Sequence, residues 1–183
     1  ILYSETLSSF QYGLRNDEPL LLSSINKALA SYSTEEKQEI KERWEGKNRA
    51  QTKAPQQVKT TLLNLSSEEK AWVKAHPTIR VGNKPDWPPF DFIQDGKAMG
   101  LGIDYVSLIA QKAGLHVSFV QGGWEELWAR FKAHDIDILH GIYKTAQRET
   151  YALYTEPYQT TAIAMAVRKD SDIEDTKDLK GKR

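Results

Sequence analysis

A threonine and an arginine three residues apart follow a short apolar stretch. Thr145 is a good N-cap, and it predicts a helix over 145–153 in which Arg148 holds the third position. A helix N-terminus carries partial positive charge and free N–H groups, so a cation there is unfavourable unless an anion is shared between them. Either Arg148 pairs with Glu149 or another carboxylate, or points into water, or it clamps the carboxylate of a ligand.

A loop earlier in the chain places aromatic side chains beside acids. In the segment GNKPDWPPFDF, three prolines fix the backbone, and Trp87 and Phe90 lie close to Asp86 and Asp91. A rigid aromatic loop costs little entropy to order, which suits stacking on a small organic ligand, with either acid available for a positive group. The alternative is that Phe90 and Phe92 are core residues at a strand entrance, which leaves Trp87 as the better ligand candidate.

The other polar side chains carry no catalytic or metal signature. His140, Gly141 and Tyr143 lie in the same loop as Arg148 and are candidate pocket residues, although a single histidine at a strand end is more often a structural hydrogen-bonding residue. The other histidines are scattered, so no metal and no cofactor is predicted. Nucleophile-elbow, phosphate-loop, zinc-protease and dinucleotide-binding signatures are absent from the sequence, and no catalytic residue is assigned.

Composition narrows the class of protein further. The 183 residues include 25 Lys plus Arg and 25 Asp plus Glu, so no basic excess favours nucleic acid as a partner. No apolar run reaches the roughly 18 to 20 residues of a membrane span, and no signal peptide opens the chain, so membrane attachment is expected only through segments outside it. There is no cysteine, which excludes disulfides. A start without Met and a turn-like end indicate a fragment.

The predicted elements alternate in the manner of an α/β fold. Such alternation with short loops predicts a parallel sheet with helices on both faces, and ligands then bind at the carboxyl ends of the strands. Trp124, Leu127, Trp128 and Phe131 follow the helical period and are expected to pack in the core. The predicted strands are 78–81, 117–120, 136–139 and 160–168, a hairpin turns at Asp95-Gly96, and helices cover 102–113 and the region around 124–131.

The first part of the chain reads differently. A strand is predicted within 1–15, Pro19 introduces a helix, and Ser33 with Glu36 forms the capping box of a second helix. From Gly46 to about Thr61 the residues are almost all polar, which indicates a linker. Ser66 with Glu69 then forms the capping box of a third helix.

A series of motifs resembles the type II periplasmic solute-binding proteins, in the subgroup that binds polar amino acids. The likeness covers about residues 66 to 183 and implies a parallel-sheet lobe of a Venus-flytrap fold. It also implies that Trp87 and Phe90 stack on the ligand and that Arg148, assisted by Thr145, binds its α-carboxylate, with Gly141 and Tyr143 in the polar loop. The motifs are, in order, IRVG, PDWPPFDF, GLGIDYVSLIA, WEELWARFKAHDIDIL, TAQR, YTEPY and DLKGKR.

The first 48 residues resemble the helical end of another such module. A tandem arrangement of this kind is similar to the periplasmic sensor domains of BvgS- and EvgS-type hybrid histidine kinases. The resemblance implies that 1–48 is the C-terminal segment of a preceding module, 49–65 a linker, 66–168 the first lobe of a second module, and 169–183 the crossover toward a second lobe outside this chain.

The expected function is ligand sensing in the periplasm by a membrane-bound signalling receptor whose full-length form is a sensor histidine kinase. Its expected partners are a small carboxylate or amino-acid-like ligand, the neighbouring solute-binding module and, in the full receptor, a second copy. One alternative is an ABC-transporter-type solute-binding protein, and another is a binding module attached to a diguanylate cyclase or lytic transglycosylase. A third is an enzyme of this fold, with Asp86 or Asp91 as proton donor.

Overall fold

The computed structural model describes residues 2–45 and 63–181. Nine strands and five α-helices are present in these two ranges, and two short 3₁₀ helices follow β7 and β9. In chain order the elements are β1 (Leu2–Arg15), α1 (Pro19–Ala30), α2 (Thr34–Glu45), α3 (Ser67–Ala75), β2 (Thr78–Asn83), β3 (Asp86–Trp87), β4 (Asp91–Gln94), β5 (Lys97–Met99), α4 (Leu101–Ala113), β6 (His116–Gln121), α5 (Trp124–Lys132), β7 (Ile138–Ile142), a 3₁₀ helix (Arg148–Thr150), β8 (Ala152–Tyr154), β9 (Gln159–Met165) and a second 3₁₀ helix (Thr176–Leu179).

The main sheet confirms the predicted parallel arrangement. Its strand order is β6-β2-β7-β1-β8, with β9 also paired to β1. Strand β2 runs parallel to β6 from Thr78 opposite His116 to Asn83 opposite Gln121, and parallel to β7 where Val81 faces Ile138. These three strands therefore end at one edge of the sheet, called here the carboxyl edge. A small antiparallel sheet, β3-β4-β5, follows β2.

Helices cover both faces of this sheet, as the alternation predicts. One hydrophobic core lies under α1, α2 and α4 and includes Tyr12, Ile25, Trp44, Val81 and Ile109. On the other face, α5 contributes Leu127 and Phe131 to a second core with strand residues of β7 and β8. Among the described helices none has the combination of length and apolar character that a membrane crossing requires.

Residues 2–45 share this sheet and this core. The C-terminal half of β1 is antiparallel to two strands, with Leu14 opposite Ile138 of β7 and Leu153 of β8. Beyond a register shift near Gly13, its N-terminal half pairs with β9, where Phe10 faces Gln159. The sequence does not predict this central position. That residues 1–48 end a preceding module stays a prediction, and most of the predicted linker lies outside the described residues.

Two buried carboxylates fasten the N-terminal helices to the rest. Glu69 of α3 accepts hydrogen bonds from Ser23 Oγ at 2.7 Å and Lys27 Nζ at 2.6 Å, both on α1. Asp104 of α4 accepts one from Trp44 Nε1 of α2 at 2.8 Å. Burial raises the pKa of Asp104, an effect that Trp44 and a neighbouring arginine oppose. The first 45 residues are thus held by polar contacts as well as by the apolar core.

A third acid joins three strands at the edge opposite the carboxyl edge. Asp137, just before β7, lies 3.1 Å from Arg15 Nη1 at the end of β1 and 2.7 Å from Arg80 Nη2 in β2. It also accepts a hydrogen bond from the Arg80 backbone N–H at 2.8 Å. Burial opposes ionisation of this carboxyl, but the bonds from Arg80 and Arg15 outweigh burial, and the pKa of Asp137 lies below its ordinary value.

The local elements follow their sequence signals closely. Helix α4 ends at Gly114, which has the left-handed φ of 76° expected of a C-terminal glycine. The hairpin between β4 and β5 turns at Asp95 and Gly96, both at positive φ. The capping boxes at Ser33 and Ser66 are both formed.

The predicted helix over 145–153 is wrong. Residues 148–150 form one turn of 3₁₀ helix, and Ala152–Tyr154 are strand β8. The reason is β1: Ala152, Leu153 and Tyr154 lie opposite Arg15, Leu14 and Gly13, whose backbone groups offer a ladder from far away in the chain. Tertiary pairing overrides the local helix signal here.

Candidate ligand-binding site

Three loops meet at the carboxyl edge of the parallel strands. Lys84, after β2, places its Nζ 3.4 Å from the ring centroid of Trp87 and 5.4 Å from that of Trp124, which opens α5 after β6. Arg148, after β7, holds its guanidinium carbon 5.9 Å from the Trp124 centroid and 5.0 Å from that of Trp128. Two cations and three indoles therefore come together where the sheet topology predicts a ligand site.

The aromatic stripe of α5 divides between core and site. Leu127 and Phe131 are buried, as expected. Trp124 and Trp128 are only half-buried and stack on each other, with ring centroids 5.4 Å apart and planes 20° apart. All four residues thus pack in or against the second core, as expected, but Trp124 and Trp128 keep part of their rings exposed. These two indoles lie beneath the Arg148 guanidinium.

Arg148 is held by a carbonyl and not by an acid. Its Nη1 donates to the Tyr143 carbonyl oxygen at 2.9 Å, and no carboxylate of the described residues lies within 4.0 Å of the guanidinium. Glu149, the expected alternative partner, pairs instead with Lys144 at 2.7 Å. A guanidinium has five N–H donors, so most of this one is left for a ligand.

The backbone donors next to Arg148 are used within the turn. The N–H groups of Arg148 and Glu149 donate to the Thr145 carbonyl at 2.9 and 3.0 Å, and the Thr145 hydroxyl also accepts from Arg148 N at 3.3 Å. Thr145 therefore caps a single turn and not the longer helix that the sequence predicts. It fixes the backbone from which the guanidinium projects.

The aromatic loop packs against β1 as well as β7. The ring of Trp87 meets Phe10 edge to face at 5.6 Å and Phe90 at 5.0 Å. Gly141, with φ of 63°, lets the indole lie directly on the backbone, because a Cβ at that position would be 2.9 Å from the Trp87 ring. Tyr143 is 40% exposed and stacks on Phe10 at 5.2 Å. Phe10 is a site residue that the sequence does not reveal, since β1 was not expected in this sheet.

A narrow cavity of about 10 Å³ lies under this aromatic cluster. That is about the space of one water molecule, so the enclosed space admits no more than a water-sized group. Of the candidate ligand residues, Trp87, Phe90, His140 and Gly141 line this cavity, whereas Asp86, Tyr143, Thr145 and Arg148 lie outside it. The full lining is Phe10, Trp87, Phe90, Leu101, Gly102, His140, Gly141 and Tyr158.

Tyr158 is a second residue that the prediction missed, although it closes the YTEPY motif. Its hydroxyl oxygen accepts a hydrogen bond from the Gly141 N–H at 3.1 Å, and its ring stacks on Tyr12 at 4.4 Å. Burial raises the pKa of Tyr158 above its ordinary value, with the Gly141 bond opposing, so the phenol stays protonated.

Asp91 and His140 form a buried pair beneath the cavity. Asp91 is 1% exposed on its side chain and accepts hydrogen bonds from Asn83 Nδ2 and from the Lys84 backbone N–H. His140 Nε2 lies 3.1 Å from Asp91 Oδ2, a contact at ion-pair distance whose angle does not make a hydrogen bond. Asp91 is therefore committed to the protein and is not available for a positive group of a ligand. Asp86 is exposed at the rim of the loop.

The N-terminus of α4 fixes the aromatic loop in place. Leu101 N donates to the Pro89 carbonyl and Gly102 N to the Phe90 carbonyl, both at 2.9 Å. Gly100 precedes the helix at φ of 135°, where a Cβ would lie 2.3 Å from the Phe90 carbonyl oxygen. The first N–H groups of α4 thus donate to the carbonyls of the aromatic loop, and these bonds hold the loop in place before any ligand binds.

The family model for bacterial extracellular solute-binding proteins, family 3, matches residues 79–181. This is more than half of the chain, and the chain belongs to that family. The structure is accordingly a solute-binding lobe with a mixed sheet and helices on both faces.

Relatives include both binding proteins and a sensor. A probable histidine-binding protein of Campylobacter jejuni is 31% identical over 124 residues, which are 66% of this chain and 48% of that protein. Sensor protein EvgS of Escherichia coli K12 is 24% identical over 192 residues, 96% of this chain and 14% of that protein. The chain thus spans about half of the first relative and a small part of the second. Arginine-bound truncated ArgBP from T. maritima matches with 26% identity and a TM-score of 0.40 over 44% of this chain and 39% of that one.

Proposed function

We propose that this chain is the recognition part of a periplasmic signalling receptor and binds a small carboxylate or amino-acid-like metabolite. The observation that carries this proposal is the Arg148 guanidinium, which has no acidic partner among the described residues and lies at the carboxyl edge over two indoles, with one N–H on the Tyr143 carbonyl. The residues proposed to contact ligand are Asp86, Trp87, Phe90, His140, Gly141, Tyr143, Thr145 and Arg148.

A half-buried guanidinium without an acid favours an anionic ligand. Arginine is the side chain best suited to bidentate recognition of a carboxylate, and a charge-assisted pair of this type is stronger than a neutral hydrogen bond. The Tyr143 carbonyl already holds one N–H, so the guanidinium is oriented before binding. Pre-orientation lowers the entropy that the ligand must overcome.

Binding is favoured over catalysis by the state of the nearby acids. A proton donor must reach its substrate within hydrogen-bonding distance, directly or through one water. Asp91 is buried and held by Asn83 and the Lys84 backbone, and Asp86 is exposed at the rim. Neither is positioned as the acid that the enzyme alternative needs.

The sensor role is supported by how much of this chain aligns with a sensor protein. The alignment with EvgS extends over 96% of this chain, whereas those with the histidine-binding relatives of C. jejuni and E. coli K12 extend over 66% and 67%. In this proposal the full-length protein is a membrane-anchored sensor histidine kinase, residues 1–48 end a neighbouring module, and a homodimer forms the receptor. The transport-type binding protein is the second candidate, supported by those same histidine-binding relatives.

Calorimetry on the protein with a panel of amino acids and small organic acids tests carboxylate binding. Arg148→Ala should lower the affinity for any acid that binds by at least about 10- to 100-fold, because a hydrogen bond to a charged group is worth about 1.5 to 3 kcal/mol. Arg130→Ala is the matched control, since Arg130 lies on α5 in a loose pair with Glu126 at 3.9 Å. Equal affinity in both variants would remove Arg148 from the site.

The signalling role is tested on the full-length protein in membranes. A ligand found by calorimetry should change the output of the receptor in cells that carry a reporter, and Arg148→Ala should remove that change. Ligand uptake that depends on the protein, without any change in reporter output, would favour the transport alternative.

A further inference from the structure

A second cation faces the same tryptophan as Arg148. Lys84 Nζ lies 3.4 Å from the Trp87 centroid and 5.4 Å from the Trp124 centroid, so the ammonium is placed between two indole faces. The Arg148 guanidinium lies 5.9 Å from the same Trp124 centroid. Because both charges lie within 5.9 Å of the Trp124 centroid, they are less than twice that distance apart. They reach this place from different strands, since Lys84 follows β2 and Arg148 follows β7.

Lys84 also lacks an acidic partner. No carboxylate of the described residues lies within 4.0 Å of its Nζ, although Lys144, two residues beyond β7, has Glu149 at 2.7 Å. Burial lowers the pKa of the Lys84 ammonium, and the more distant charges of Asp91 and Asp86 only partly oppose this effect. The folded chain therefore carries a half-buried ammonium at a net cost.

We infer that the site takes a ligand with two negative groups, one carboxylate on Arg148 and a second on Lys84, with the carbon chain between them over Trp124. This inference rests on the proposed function, because it assigns the class of ligand to the same site. A dicarboxylate or an acidic amino acid has this pattern of charge. The two cations repel each other in the empty site, and a dianion removes that repulsion while it pairs both.

A purely structural role for Lys84 makes a different prediction. If the ammonium served to fasten Trp87 through a cation–π contact, its removal would destabilise the fold. If it is kept for the ligand, Lys84→Met should leave the empty protein as stable or more stable, since methionine fills the same space without a buried charge. Thermal unfolding of the ligand-free variant separates the two roles.

The binding test uses two pairs of probes that differ in a single carboxylate. L-glutamate is compared with L-glutamine, and succinate with succinamate, by calorimetry on the wild-type protein. At least one diacid should bind about 10- to 100-fold more tightly than its half-amide, which is the range for one charge-assisted contact. Lys84→Met should reduce that preference to about twofold or less, and Lys144→Met, the matched control on a paired lysine of the same edge, should retain it.

The outcomes distinguish this inference from the proposed function. Equal binding of a diacid and its half-amide to the wild-type protein, or a preference that survives in Lys84→Met, overturns the dianion inference. If Arg148→Ala still abolishes binding of these acids in that case, carboxylate recognition stands without it. Failure of both diacids to bind overturns the inference, whatever a monocarboxylate does. A fall in the melting temperature of ligand-free Lys84→Met also overturns it, in favour of the structural role.

Discussion

Replacing Glu69 by Gln should weaken the contact between α1 and α3 and lower the free energy of unfolding at neutral pH. The carboxylate is 3% exposed and accepts hydrogen bonds from Lys27 Nζ, Ser23 Oγ and the Ser66 backbone N–H, at 2.6, 2.7 and 2.6 Å. The Lys27 bond, followed by the Ser23 bond, holds the pKa of Glu69 at about 2, against an ordinary value of 4.5. Glutamine keeps the shape and loses the charge.

The size of the effect follows from linkage between protonation and folding. A tenfold change in proton affinity is worth about 1.4 kcal/mol, so the depressed pKa of Glu69 corresponds to about 3 kcal/mol. Lys27 is 42% exposed and solvent screens the pair, so we expect about 1 to 2 kcal/mol. Because the folded pKa lies below the unfolded one, this stabilisation is complete above about pH 4.5 and is lost as the pH falls toward about 2.

Urea unfolding of wild type and Glu69→Gln at pH 7, 5 and 3, followed by far-ultraviolet circular dichroism, measures this difference. The gap between the two proteins should be about 1 to 2 kcal/mol at pH 7 and should shrink at pH 3. Glu68→Gln is the control, because Glu68 lies on the exposed side of the same turn and accepts a hydrogen bond from Ser66 Oγ, not from α1. A gap at pH 3 as large as at pH 7, or no gap at pH 7, would refute the linkage and the docking of α1 through Glu69.

Two further substitutions test other contacts of the fold and site. Asp137→Asn should cost about 2 kcal/mol or more in urea unfolding at pH 7, because Arg15 and Arg80 lose a shared, partly buried carboxylate, and the cost should fall as the pH drops below 4; an unchanged midpoint would contradict the network. Gly141→Ala should lower the free energy of unfolding by about 1 to 2 kcal/mol, because an alanine at φ 63° is strained and its Cβ would lie 2.9 Å from the Trp87 indole. The near-ultraviolet circular dichroism spectrum should change as Trp87 moves, and an unchanged spectrum would contradict that packing.

The parts of the fold that the sequence predicts well depend on contacts within a few residues. The Ser66 capping box needs only Glu69, three positions later, and Gly114 needs only its own freedom at positive φ. The turn at Asp95-Gly96 is likewise complete within its own hairpin. Such elements can be predicted from the sequence because they do not depend on contacts with distant segments of the chain.

The parts that the sequence predicts badly depend on β1. Residues 152–154 read as the end of a helix until a strand nearly 140 positions earlier pairs with them. Phe10 enters the site by the same route, and no local pattern marks it as a site residue. Trp124 and Trp128 have the right period for a buried helix face, and only the position of α5 at the end of the sheet turns them toward the loops.

Two partly buried cations of the scaffold have carboxylate partners, whereas the two cations of the candidate site have no such partner among the described residues. Lys112, 7% exposed on its side chain, has Glu36 at 2.8 Å, and Arg43 has Asp104 at 2.7 Å. Lys84 and Arg148 are also partly buried, yet each faces indole rings and has no carboxylate of the described residues within 4.0 Å. A fold selected only for stability would supply an acid to both, because an unpaired half-buried charge costs free energy. In the proposed complex a diacid would supply both acids and so complete the pairing that the scaffold completes elsewhere.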